Sequence, residues 1–155
     1  MSLLRRGLMI VALLGVAIAP TGAAAGPNRP QAPPPVQVSY FFVGSLNPRP
    51  FWITPGPDGN LWFTDSAANA IGRITPDGVV TEFPIGDGKE PYTIVAGADG
   101  NLWFTERHNN KVGAVNVNGA LVHEYFVPGT DPRPAGITAA PNGDIWFTTQ
   151  GTGDT

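Results

Sequence analysis

Pro57-Asp58-Gly59-Asn60-Leu61-Trp62-Phe63-Thr64 returns as Ala98-Asp99-Gly100-Asn101-Leu102-Trp103-Phe104-Thr105, and again as Pro141-Asn142-Gly143-Asp144-Ile145-Trp146-Phe147-Thr148. The three tryptophans stand 41 and 43 residues apart. Other columns keep the same step: Pro50, Pro91 and Pro134; Ile53, Ile94 and Ile137; Gly78 and Gly119. A repeat of about 40–45 residues, each holding four short strands, is the sequence signature of a β-propeller blade. The fold class is therefore all-β, a propeller of four-stranded blades.

Each unit divides into four strands. Strand a is Phe51 to Thr54, stopped by Pro55. Asp58-Gly59 is a hairpin signal, and strand b runs Asn60 to Thr64. Strand c covers Ala70 to Ile74, Thr75-Pro76-Asp77-Gly78 turns, and strand d covers Val79 to Phe83. Leu-Trp-Phe is apolar on both faces of its strand, as a blade sandwiched between two neighbours requires. The blades fall at about 47–85, 86–128 and 129–149, and the third stops after strand b at Thr148 or Thr149. Val38 to Val43 reads as a lone strand d, with Phe42 placed before Pro50 as Phe83 is before Pro91 and Phe126 before Pro134. About two and a half blades result, whereas propellers close with about four to eight. An unclosed stack exposes two apolar faces, so self-association or further blades are expected to cover them.

Composition agrees with short strands and tight turns. Gly 20 and Pro 17 among 155 residues approach a low-complexity content, while Trp 4 and Phe 8 supply a core. Charged residues are 14% and the net charge is −3, which gives no basic aromatic surface for nucleic acid. Cysteine is absent, which excludes disulfides, a thiolate metal site and a cysteine nucleophile. At the N-terminus Arg5 and Arg6, the apolar run Leu8 to Ala19 and Ala23-Ala24-Ala25 read as a signal peptide over residues 1–25, with export to the periplasm or the medium. That run is too short to span a bilayer, which takes about 20 apolar residues, so no membrane span is expected after cleavage. A proline-rich linker over 26–35 then leads into the propeller of 36–155.

Residues 57 to 83 carry the most specific pattern: Gly59-Asn60-Leu61-Trp62-Phe63-Thr64-Asp65, then Asn69-Ala70-Ile71-Gly72-Arg73-Ile74-Thr75-Pro76-Asp77-Gly78, then Thr81-Glu82-Phe83. With Asn101-Leu102-Trp103-Phe104-Thr105-Glu106 and Asn110-Lys111-Val112-Gly113, this resembles the virginiamycin B lyase (streptogramin lyase) family over nearly all of residues 47 to 149. The resemblance implies a seven-bladed ring and a magnesium-dependent C–O lyase that linearises a cyclic depsipeptide antibiotic. It implies a histidine base in a Pro-His-Gly-Ile version of strand a, with metal carboxylates mostly on later blades. Here those strands read Pro50-Phe51-Trp52-Ile53, Pro91-Tyr92-Thr93-Ile94 and Pro134-Ala135-Gly136-Ile137, without histidine. The chain is thus expected to be an N-terminal piece that lacks the catalytic blades. A hydrolytic variant like the metal-dependent gluconolactonase propellers, and a non-catalytic propeller that binds a peptide, glycan or protein, stand as alternatives.

Strand direction says where a site lies. Strand a starts and strand b ends on one face, which gathers Phe51, Tyr92 and Ala135 beside Asp65, Glu106 and Thr149. By the resemblance, a tyrosine after the motif proline lines the family's substrate pocket, as Tyr92 would. Asp65 and Glu106 are the candidate Mg2+ ligands, with the rival reading that they accept hydrogen bonds from loop amides. His108, in the loop after strand b, is the one candidate general base, or else a solvated loop histidine. His123 reads as surface. Trp62, Trp103 and Trp146 read as core, whereas Trp52 replaces a small residue and is expected to project into the central channel as part of the ligand surface.

Overall fold

The computed structural model describes residues 10–15 and 37–151. Apart from residues 10–15, the expected leader and the proline-rich linker lie outside the described residues. β1 (Ile10–Gly15) pairs antiparallel with β2 (Gln37–Phe42). Two four-stranded antiparallel meanders follow. The first is β3 (Pro50–Pro55), β4 (Leu61–Asp65), β5 (Ala70–Ile74) and β6 (Val80–Pro84). The second is β7 (Pro91–Ala96), β8 (Leu102–Glu106), β9 (Lys111–Val115) and β10 (Leu121–Phe126). A two-stranded sheet, β11 (Pro134–Ala139) with β12 (Ile145–Thr149), forms the third unit. These are strands a to d of blades one and two and strands a and b of blade three.

Local chemistry accounts for the repeated motif. In the a–b turn Asp58 accepts from Asn60 N, from Asn60 Nδ2 and from Trp62 Nε1 at 3.2, 2.7 and 2.9 Å. Asp99 repeats all three contacts. The carboxylate thus closes the hairpin and satisfies the one polar atom of the core tryptophan. Burial works to raise the Asp58 carboxyl, but the donated hydrogen bonds outweigh it and hold the group below its usual range. Asn69 and Asn110 take the left-handed conformation that asparagine tolerates, at φ 49° and 52°. Their side chains then accept from the backbone N of Glu90 and Arg133, the residues just before the next blade's proline.

Blades one and two meet through Trp62, Ile71 and Ile85 from one side and Ile94, Leu102, Phe104 and Val115 from the other. Arg73 crosses this boundary to the Val117 carbonyl, 3.2 Å away, and lies over the Trp62 and Phe83 rings. Glycine is required at the c–d turn: a Cβ on Gly119, at φ 81°, would fall 2.0 Å from the Phe83 ring. A Cβ on Gly78 would meet Phe41 in the same way, so β2 does stand as a strand d ahead of blade one.

Two sequence readings need correction. The expected column Phe42–Phe83–Phe126 is Phe41–Phe83–Tyr125 in space. A bulge between Leu121 and His123 adds one residue to β10, so that Tyr125 pairs with Val112 as Phe83 pairs with Ile71. Burial places Val43, Ile85 and Val127 two residues further along. Nor are the three tryptophans equally core. Trp62 is 0% exposed, Trp103 is half-buried, and Trp146 is 63% exposed. Each tryptophan faces the following blade, and the cover thins from a full blade to a two-stranded one to none among the described residues. Phe147 is exposed for a related reason: it lacks the strand c glycine that lies over Phe63 and Phe104, namely Gly72 and Gly113.

Candidate functional site

A cavity of about 210 Å³ opens where strands a begin and strands b end, on the rim between blades one and two. Phe51 and Tyr92, each following its blade's motif proline, stack there with ring centroids 4.0 Å apart and planes at 26°. Arg107, the first residue of the loop after β8, sets its guanidinium 5.1 Å from the Tyr92 centroid. Arg49 and Ser66 line the blade-one side. His108 and Glu90 complete the wall, with His108 Nδ1 2.5 Å from Glu90 Oε2.

Three of the sequence candidates, Phe51, Tyr92 and His108, are therefore brought together. His108 also has an orienting partner that the sequence did not reveal. Glu90 sits just before Pro91 at φ 43°, held by the bond from its N to Asn69 Oδ1. A carboxylate on Nδ1 fixes the imidazole tautomer and leaves Nε2 as the acceptor. Glu90 and the arginines 49 and 107 were missed because the repeat does not mark them: charge at those positions differs from blade to blade. Trp52 is half exposed, and its backbone N bonds Thr64 Oγ1, but its side chain does not line the cavity.

Asp65 and Glu106 lie outside the cavity wall. Asp65 is fully buried and accepts from Ser45 Oγ, Arg49 N, Ala67 N and Ala68 N at 3.0 to 3.1 Å. Three of these donors go to Oδ1 and one to Oδ2, which ties the carboxylate to the loops around it. Glu106, equally buried, accepts from Asn109 Nδ2 at 2.8 Å and has Lys89 Nζ 3.8 Å away. Lys89 and Lys111 both pair with Glu124 beside it. Ammonium groups there oppose a divalent ion. Among the described residues no three His, Asp or Glu side chains cluster as metal ligands. These carboxylates fit loop anchoring, not magnesium binding.

Burial pushes the Glu106 carboxyl above its ordinary 4.5, against the lowering effects of Asn109 and Lys89. The folded chain then keeps a proton that the unfolded chain has released, so this group's contribution to stability is full below about pH 4.5 and is lost as pH rises through the folded value. Glu106→Gln is expected to remove that decline. Thermal melts from about pH 4 to pH 8 should show the variant gaining on the parent as pH rises. Parallel curves would contradict it.

A family model described as the virginiamycin B lyase family matches residues 35–155. A virginiamycin B lyase from Bordetella parapertussis is 44% identical over 50 residues, 32% of this chain and 17% of that protein. Selenomethionine-substituted virginiamycin B lyase from Staphylococcus aureus superposes with a TM-score of 0.69 at 38% identity, covering 73% of this chain and 39% of that one. A catalytically inactive histidine-to-alanine variant of the S. aureus enzyme, solved with quinupristin, gives a TM-score of 0.69 at 35% identity, covering 72% of this chain and 38% of that one. The chain spans well under half the length of the relatives it matches.

Proposed function

This chain belongs to the virginiamycin B lyase family, and on that premise we propose that the rim cavity between blades one and two binds an aromatic side chain of a cyclic depsipeptide. The observation that carries this is the stacked Phe51–Tyr92 pair capped by the Arg107 guanidinium. A volume of about 210 Å³ is below the roughly 300–1,000 Å³ of a drug-sized pocket. It suits one ring of a larger ligand whose body lies across the propeller face. Two planar faces and a delocalised cation hold such a ring by stacking, while Ser66 and Arg49 offer donors to its polar edge.

The chemistry proposed for the family fold is β-elimination. A base removes the proton on the carbon next to a carbonyl, that electron pair becomes the new C=C bond, and the ester oxygen leaves as a carboxylate without consuming water. In this chain the base position of strand a is Phe51, Tyr92 or Ala135, and the buried carboxylates do not fit a metal. Residues 47–149 therefore bind and orient, and base and metal ligands would come from other blades. The second reading, a binding module without catalysis, has the His108–Glu90 pair in its favour, because a paired imidazole on the rim can recognise a ligand without reacting.

Isothermal titration with quinupristin tests the binding claim. Tyr92→Ala should weaken affinity at least about tenfold, the loss of about 1.4 kcal/mol expected of a stacked ring, with the fold intact because Tyr92 lies at the rim. Equal affinity in the variant would remove the cavity from the account. Export is part of the same proposal. Protein recovered from an exporting host should begin at Gly26, after Ala23-Ala24-Ala25, and N-terminal sequencing that finds Met1 would refute it.

A further inference from the structure

We infer that the rim cavity between blades one and two takes an aromatic ring that carries a carboxylate, and that Arg49 selects for the charge. This rests on the reading of the cavity as an aromatic site and adds the group that the ring must bear. The stacked Phe51–Tyr92 pair supplies the apolar wall. The polar wall is Arg49, Ser66, Glu90, Arg107 and His108. Its charges do not cancel, because two guanidinium groups stand against one carboxylate.

The chain carries its own control for Arg49. Asn47-Pro48-Arg49-Pro50 leads into blade one as Asp131-Pro132-Arg133-Pro134 leads into blade three. Asn47 and Asp131 share a left-handed backbone, both at φ 58°. In blade three the aspartate holds the arginine, with Arg133 Nε 2.7 Å from Asp131 Oδ2. In blade one the same place holds an uncharged amide, and Arg49 makes no ion pair among the described residues. Its main chain is nonetheless anchored: Arg49 N donates to Asp65 Oδ1 at 3.0 Å and Arg49 O accepts from Ser66 N at 3.2 Å. The residue is fixed in place while its guanidinium stays unpaired.

Arg107 is in the same condition. It lies over the Tyr92 ring, makes no ion pair among the described residues, and keeps a buried Nε without a hydrogen-bond partner there. Glu90, the one carboxylate of the wall, is engaged by His108 Nδ1. In a cavity of about 210 Å³ a ring against Phe51 and Tyr92 brings its substituents to this polar wall. A carboxylate there accepts forked, charge-assisted hydrogen bonds from a guanidinium. A neutral ring leaves both cations unanswered, and a cationic ring is repelled.

Titration of the purified chain with benzoate, benzamide and acetate, followed by NMR, tests this. Benzoate should bind at least about fivefold tighter than the neutral benzamide, the effect of one charge-assisted bond on an open rim. Acetate, which lacks the ring, should bind more weakly than benzoate. Asn47→Asp gives Arg49 the partner that Arg133 has. Asn47 is exposed and lies outside the cavity wall, so the variant should keep the parent's circular dichroism and benzamide affinity while benzoate falls toward the benzamide level. Arg49→Gln should lower benzoate likewise, and Tyr92→Ala should weaken both rings. Equal affinity for benzoate and benzamide, with both lost in Tyr92→Ala, would overturn the selection for charge and leave the aromatic reading standing. Failure of either ring to bind would remove both. Benzoate binding that ignores Asn47→Asp and Arg49→Gln, or acetate as tight as benzoate, would also overturn the inference.

Discussion

Trp62→Ala is expected to cost about 3–5 kcal/mol of stability, while Trp146→Ala, the same change two motifs further on, leaves the dilute monomer within about 0.5 kcal/mol of the parent. Trp62 is sealed between blades and its Nε1 bonds Asp58. Its removal costs the transfer of the ring, the cavity left behind and one of the three hydrogen bonds to the turn carboxylate, about 3–5 kcal/mol together. That is comparable to the whole stability of a small domain, about 5–15 kcal/mol. Trp146 has solvent on the face where Trp62 has Phe83, Val117 and the core of blade two. Denaturant titration at a concentration where the chain is monomeric checks both. Equal losses at the two positions would mean that the Trp146 face is buried in solution.

The second large effect is an absence. The chain is expected to give no linearised quinupristin above the buffer rate, with or without magnesium. Phe51, Tyr92 and Ala135 cannot take up a proton at the base position, and Asp65 has its oxygens committed to Ser45, Arg49, Ala67 and Ala68. A general base typically contributes about 10²–10⁴-fold, and the stabilisation of a developing oxyanion a comparable factor. Lacking both, a bound antibiotic should leave unchanged. Metal-dependent ring opening by this chain would contradict this, and His108→Ala would then be the first variant to make, because Glu90 holds that imidazole in one tautomer.

Blade architecture was legible because a repeat reports each strand several times. Strand c was placed at Ala70 to Ile74, its observed bounds, and the other strands within about a residue. What failed was whatever the repeat averages away. The bulge in β10 moves Tyr125 into the place expected for Phe126, and no local residue type marks a bulge between Leu121 and His123. Burial of the tryptophans depends on what lies on the next blade, which an identical motif cannot disclose.

The candidate site divides in the same way. Phe51 and Tyr92 follow from strand direction and from their place after the motif proline. Glu90 and Arg107 do not, because their meeting with His108 and Tyr92 is fixed by two loops, from different blades, that approach only in the folded chain. Asp65 and Glu106 carry the residue types of metal ligands, yet they sit where loop amides and lysines need an acceptor. Residue type alone does not separate those roles; the surroundings do, four donors around Asp65 and Asn109 with Lys89 around Glu106.

A crystal structure of the chain with quinupristin tests the central claim most directly. The account predicts one aromatic ring of the antibiotic seated against Phe51 and Tyr92 and beneath Arg107, with Asp65 and Glu106 still bonded to their loops. Antibiotic bound on the open Trp146 face with an empty rim cavity, or a cation between Asp65 and Glu106, would contradict it.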